Sequence, residues 1–114
     1  MDGVTLGVEE EFQIVDLDSG ELVPRSDDLL PVAREVLGDR VTAELNRCQI
    51  EVATPICAGL DEVRTELAHL RTTLDAAAAR IGCGILPVGT HPWSSWRDQA
   101  VEDPVRVAEA GGGV

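Results

Sequence analysis

Between Val4 and Val15 apolar and polar residues alternate with the two-residue period of a β-strand. Val4, Leu6, Val8, Phe12 and Ile14 share one face, and Thr5, Gly7, Glu9, Glu11 and Gln13 share the other. Glu9 and Glu11 therefore point the same way, with Cα atoms about 6 to 7 Å apart. Glu10 breaks the pattern, because strict alternation sets it among Val8 and Phe12. A carboxylate is expensive to bury alone, so the pattern predicts either a bulged strand at Glu10 or solvent at that end of the apolar face.

Residues 16–24 carry an Asp-Ser-Gly turn signal and then a short return segment, read as a plain connection. In the following RSDDLLPVAREVLGD, Ser26, Asp27 or Asp28 can cap a helix, Pro31 is placed in its first turn and Gly38 ends it. Leu29, Leu30, Ala33, Val36 and Leu37 supply the apolar face. Residues 41–54 read as a second long strand, interrupted by Asn46 and Arg47 and ended by Pro55. Near its end Cys48, Ile50 and Val52 face one way and Gln49, Glu51 and Ala53 the other, so a carboxylate again lies opposite an apolar face.

From Leu60 to Ile81 the residues Leu60, Val63, Leu67, Leu70, Leu74, Ala77 and Ile81 recur at steps of three and four, the mark of an amphipathic helix. Asp61 and Glu62 favour its amino end and Gly82 is placed to stop it. About three heptads is the lower limit for a coiled-coil seam, so packing against a sheet is the expectation. His69, between core positions Leu67 and Leu70, is expected in solvent. Residues 84–90 read as a short buried strand with Pro87 at an edge or bulge. His91 to Trp96 reads as a loop holding both tryptophans, which more often pack than bind ligand. Beyond Glu102 no period is evident.

Composition narrows the classes. A chain of 114 residues with 44% hydrophobic content suits one folded domain. No run approaches the roughly 18 apolar residues of a membrane span, and the start lacks a signal-peptide pattern, so a cytoplasmic protein is expected. Acidic residues outnumber basic ones 21 to 9, for a net charge of −12. That argues against nucleic acid or an anionic membrane as partner and suits a site that holds cations. Cys48, Cys57 and Cys83 show neither zinc-site nor disulfide spacing and read as buried or spare thiols.

Three strings together resemble a known family. They are Gly7-Val8-Glu9-Glu10-Glu11-Phe12-Gln13, then Cys48-Gln49-Ile50-Glu51-Val52-Ala53-Thr54-Pro55, then Gly89-Thr90-His91-Pro92-Trp93 with Trp96 and Gln99. In this order and spacing, over residues 4 to about 104, they resemble the amino-terminal part of the bacterial glutamate–cysteine ligase type 2 family. The resemblance implies an α+β fold, an antiparallel-rich sheet with helices on one face, forming the amino-terminal portion of a glutamine synthetase-like catalytic fold. It also implies an ATP-dependent carboxylate–amine ligase, in which ATP phosphorylates the glutamate γ-carboxylate and an amine such as that of cysteine attacks the acyl phosphate.

Such chemistry needs Mg2+ or Mn2+, held by oxygen ligands of which one or two are carboxylates. Glu9, Glu11 and Glu51, each on the polar side of its strand, are the candidate metal ligands. Glu10 matches a variable family position. Gln49 contacts substrate or satisfies a backbone group, two readings of equal weight. Thr90 and His91 match a Thr-His-Pro segment that implies lining of the substrate or nucleotide site, and no catalytic residue is assigned.

Residues 105–114 read as an unpatterned tail, and the ending AEAGGGV is expected to depart from the family pattern, as in a shortened chain. Arg25, Arg47 and Arg97 are too few to replace the phosphate-binding groups of longer members, so catalysis by these 114 residues alone is not expected. A glycosidase fits poorly, because paired carboxylates there must flank the scissile bond. A non-catalytic acidic binding or assembly module and an inactive remnant are both compatible with the same pattern, and homo-oligomerisation and the acceptor amine stay open.

Overall fold

The computed structural model describes residues 4–96 and 105–106. In chain order these form β1 (Val4–Asp16), α1 (Ser26–Leu37), β2 (Val41–Ala43), β3 (Gln49–Ala53), α2 (Leu60–Arg80), β4 (Cys83–Trp96) and β5 (Val105–Arg106). The strands make one sheet in the order β2-β3-β1-β4-β5, and every pairing is antiparallel. Both helices pack on the same face, α1 toward β2 and β3 and α2 toward β1 and β4.

The alternation in β1 explains the core. Phe12 and Ile14 are buried beside Ile50 and Val52 of β3, and Leu29, Ala33 and Leu37 of α1 close over them with Leu70, Leu74, Ala77 and Ala78 of α2. Sheet packing of the long helix is thus observed, and His69 is exposed on it. Gly82 stops α2 as expected, with φ 77 and its N–H donating to the Ala79 carbonyl. No atom lies within 4 Å of where a Cβ would stand, so only the backbone asks for glycine there. Gly82→Ala is expected to cost about 1 to 2 kcal/mol through the left-handed conformation, read as a lower urea midpoint with unchanged helical content.

Several local expectations are corrected. Residues 41–54 are not one strand. Asn46 accepts a hydrogen bond from the Cys48 N–H at 2.8 Å through its side chain and from the Gln49 N–H at 3.0 Å through its carbonyl. This turn folds β3 back on β2, so that Val41 pairs with Val52 and Thr42 with Glu51. Helix α1 begins at Ser26 without a side-chain cap, and Pro31 lies beyond the first turn. Instead of capping, Ser26 is buried, and its N–H donates to the Arg47 carbonyl.

The strand at 84–90 is neither short nor fully buried: β4 runs through His91–Trp96, the segment expected as a loop, and Leu86 and Val88 are exposed. Pairing along the full length of β1 extends it, a long-range effect that local composition does not report. Val105–Arg106, in the stretch without a period, form β5 against Trp93 and Ser94. Gln99, Arg97 and residues 107–114 lie outside the described residues.

Candidate functional site

The face of the sheet opposite the helices is where the polar side of β1 meets that of β3. Cross-strand partners share a face, and Glu11 stands directly opposite Glu51, with Gln13 opposite Gln49 and Glu9 opposite Ala53. On the other side of β1, Glu9 is opposite His91 and Glu11 opposite Gly89. Directly opposed residues have Cβ atoms about 4.5 to 5.5 Å apart, and like charges so placed repel. The fold therefore brings Glu9, Glu11, Gln49 and Glu51 to one face and His91 to a register position beside Glu9.

Electrostatics at Glu51 follow from that placement. Burial first, then a hydrogen bond with Glu44, then the charges of Glu44 and Glu11, push the Glu51 carboxyl up to about 7. Glu44 follows directly after β2 and is a contributor that sequence reasoning missed; its signal was the position two residues beyond Thr42, which pairs with Glu51. A carboxyl that holds its proton first because it is half-buried, and then because acidic neighbours surround it, is one whose ionised form a bound cation would favour. The donors are hard oxygens suited to Mg2+, which takes few carboxylates and completes its shell with water or phosphate. Among the described residues no three acidic, histidine or cysteine side chains converge into a ready-made metal cage.

Glu10 faces the helices, only 1% exposed. Neither expected escape is used: β1 keeps its alternation, and the irregularity lies in β4, where Val88 is the extra residue between the pairs Glu11–Gly89 and Phe12–Pro87. Arg71 of α2 reaches Glu10 with two parallel hydrogen bonds, Nε to Oε1 at 2.7 Å and Nη2 to Oε2 at 2.6 Å. The Thr90 hydroxyl donates to Oε2 at 3.2 Å. Thr90 thus stands opposite Glu10 in the ladder, and its hydroxyl serves the helix side of the sheet rather than the acidic side.

Arg71 is a second residue that sequence reasoning missed. Its signal was a basic residue next to core position Leu70 on a helix that had to cover a strand with one misplaced carboxylate. A groove of about 440 Å3 lined by Phe12, Arg71, Thr72, Asp75, Ile85 and Pro87 also lies on the helix side, away from Glu9, Glu11 and Glu51. Arg25 and Arg47 are engaged in exposed pairs, Arg25 with Asp28 at 2.7 Å and Arg47 with Asp27 at 3.3 Å. Cys57 and Cys83 are buried free thiols and Cys48 is half-buried; burial pushes the Cys57 thiol up, away from reactivity. No helix among the described residues is long and apolar enough to cross a membrane.

Comparison with known proteins bears directly on this arrangement. The pattern of Glutamate-cysteine ligase family 2 (GCS2) matches residues 5–109, which takes in β1, β3, α2 and β4. A protein of Jannaschia sp. (strain CCS1) named "Putative glutamate--cysteine ligase 2" is 37% identical over 102 residues, 90% of this chain and 27% of its own length. One from Paracoccus denitrificans with the same name is 38% identical over 113 residues, 96% of this chain and 30% of its own. One from Sorangium cellulosum, again so named, is 40% identical over 104 residues, 90% and 28% respectively. The chain thus spans less than a third of the length of these relatives. Both Glu-bearing strands fall inside the matched segment, and on that evidence the chain belongs to glutamate–cysteine ligase family 2.

Proposed function

We propose that this chain forms the amino-terminal, metal-binding part of an ATP-dependent carboxylate–amine ligase with a glutamine synthetase-like catalytic fold. The observation that carries the reading is the direct opposition of Glu11 and Glu51, with Glu9 on the same face. Two facing carboxyls, one of them pushed up to about 7 by burial and acidic neighbours, form a site whose oxygens suit a divalent cation.

Glu9, Glu11 and Glu51 are the residues that would hold Mg2+ or Mn2+. When bound, such an ion neutralises phosphate oxygens and orients the γ-phosphoryl group of ATP. In this reading ATP, glutamate and an amine such as that of cysteine are the small-molecule substrates, joined through an acyl phosphate in a cytoplasmic enzyme. Gln49 and Gln13, paired across the strands, border the carboxylates and offer amide groups to substrate. His91 lies at the Glu9 end of the same ladder. Thr90 contributes from behind, through Glu10. The relatives are more than three times as long as the segment matched in them, and in this reading the remaining phosphate and substrate contacts come from sequence beyond that segment.

The test is titration of the chain with Mg2+ in the presence and absence of ATP. Glu9→Gln and Glu51→Gln are each expected to weaken magnesium-dependent nucleotide binding about tenfold or more, with the far-UV circular dichroism spectrum preserved. Binding unchanged in both variants would remove the metal role. Weak binding by the parent chain that ignores ATP would favour an acidic surface without catalytic use.

A further inference from the structure

We propose that Arg71 and Thr90 are positioning residues for the acidic face: by gripping Glu10 from the helix side they hold the bulged register of β4 that sets His91 opposite Glu9. The inference rests on the proposed metal-binding reading only in what that face is for; the register itself is independent of it.

β1 and β4 pair from Val4–Trp96 to Asp16–Cys83, with one shift between Glu11 and Phe12 where Val88 takes an extra place. Without that extra residue Gly89 would stand opposite Glu10, and Thr90 opposite Glu9. A one-residue slip of a strand exchanges its two faces, so the bulge decides which residue of Thr90 and His91 neighbours Glu9. Backbone hydrogen bonding discriminates poorly between these two registers, since each preserves a ladder. Apolar patterning is no better a guide at Gly89, Thr90 and His91, and the three glutamates offer a carboxylate at every step.

The cluster around the buried Glu10 carboxylate does discriminate. Glu10 is 1% exposed and takes two hydrogen bonds from Arg71, at 2.7 and 2.6 Å. The Thr90 hydroxyl adds a third at 3.2 Å. Thr90 reaches Oε2 from the position directly opposite Glu10; in the slipped register it would sit on the other face and Gly89 would offer no side chain. The slipped state therefore loses a charge-assisted hydrogen bond to a buried carboxylate. Glu10 is buried while the Arg71 side chain is half exposed; an ion pair with a buried partner contributes weakly to net stability, and selection of one register is its best-attested use. The pair anchors β1 to α2, and Thr90 transfers that anchor to β4.

The test is a set of cross-strand nuclear Overhauser measurements on the isotopically labelled 114-residue chain. The parent is expected to show backbone contacts between Glu9 and His91. In Thr90→Val, which keeps the shape and removes the hydroxyl, those contacts should fall at least threefold and Glu9–Thr90 contacts should appear, while Phe12–Pro87 and Phe12–Ile50 contacts persist. Thr90→Ser should restore the parent pattern. The double variant Glu10→Met/Arg71→Met replaces the pair by apolar side chains and is expected to show the same mixture of registers. If it fails to fold, Thr90→Val decides alone. Parent-level Glu9–His91 contacts in Thr90→Val would overturn the proposal. Mn2+ broadening of Glu9, Glu11 and Glu51 resonances in the parent is read separately: its absence together with loss of register in Thr90→Val would defeat the metal-binding reading and leave the positioning role standing.

Discussion

Truncating Leu70 to alanine is expected to lower the unfolding free energy by about 2 to 5 kcal/mol, the range for a buried leucine that leaves a cavity behind. Leu70 has no exposed surface and belongs to the cluster that joins α2 to Phe12, Ile14 and Ile50 of the sheet and to Leu29 and Ala33 of α1. Its neighbours are held on three elements, so collapse around the missing atoms is restricted. Domains of this size are stable by about 5 to 15 kcal/mol in all, so this one change removes a large share. Leu60→Ala on the same helix is the control: Leu60 is 71% exposed, and its loss should matter by no more than about 0.5 kcal/mol. Urea titrations followed at 222 nm compare the two. Similar small effects from both would mean that α2 does not pack on the sheet as described.

The second large effect is one of pH. Without divalent ions, raising the pH from 5 to 8 is expected to destabilise the fold by about 1 to 2 kcal/mol through Glu51 alone. In the folded chain the Glu51 carboxyl keeps its proton up to about 7, against an ordinary value of 4.5. Between those two values the folded chain binds more protons than the unfolded one, so stability falls as pH rises. Its contribution is complete below pH 4.5 and gone above about 7. A fully buried carboxyl with this shift would account for roughly 3 kcal/mol, but Glu51 is only half-buried and solvent screens the interaction. Glu51→Gln should flatten the slope and leave the chain more stable than the parent at pH 8. An undiminished slope in Glu51→Gln would place the proton elsewhere. Mg2+ added to the parent at pH 8 should recover part of the loss, since a bound cation takes over the proton's role.

Neither result depends on ligation, which belongs to the proposed reading. They separate two properties of the same strands. Leu70 reports on the apolar face that makes the fold, and Glu51 on the opposite, polar face, where the proposed metal site lies. The Glu10–Arg71–Thr90 cluster sits between these roles: Glu10 is buried on the apolar face, Arg71 and Thr90 reach it from exposed positions, and in the proposed reading the three align the acidic strands.

Local periodicity was enough to establish β1, α1 and α2 and the faces they present, because every second residue in a strand and every third or fourth in a helix returns to the same side. It was also enough to show that Glu9 and Glu11 point the same way, and glycine chemistry marked Gly38 and Gly82 as the ends of their helices. Which strands are neighbours, and in what register, is settled by long-range packing instead. The opposition of Glu11 to Glu51 joins residues 40 positions apart in the chain, and no local pattern encodes a distance of that kind. The same holds for the turn at Asn46 that splits one apparent strand into β2 and β3, and for the continuation of β4 through His91–Trp96, which pairing with β1 sustains. Glu10 shows the division most clearly. Alternation correctly set it on the apolar face, but its counter-charge came from Arg71 on α2 and its hydrogen-bonded neighbour from Thr90 on β4. A buried charge states a need that local sequence reveals, whereas the partner that meets it is chosen by packing.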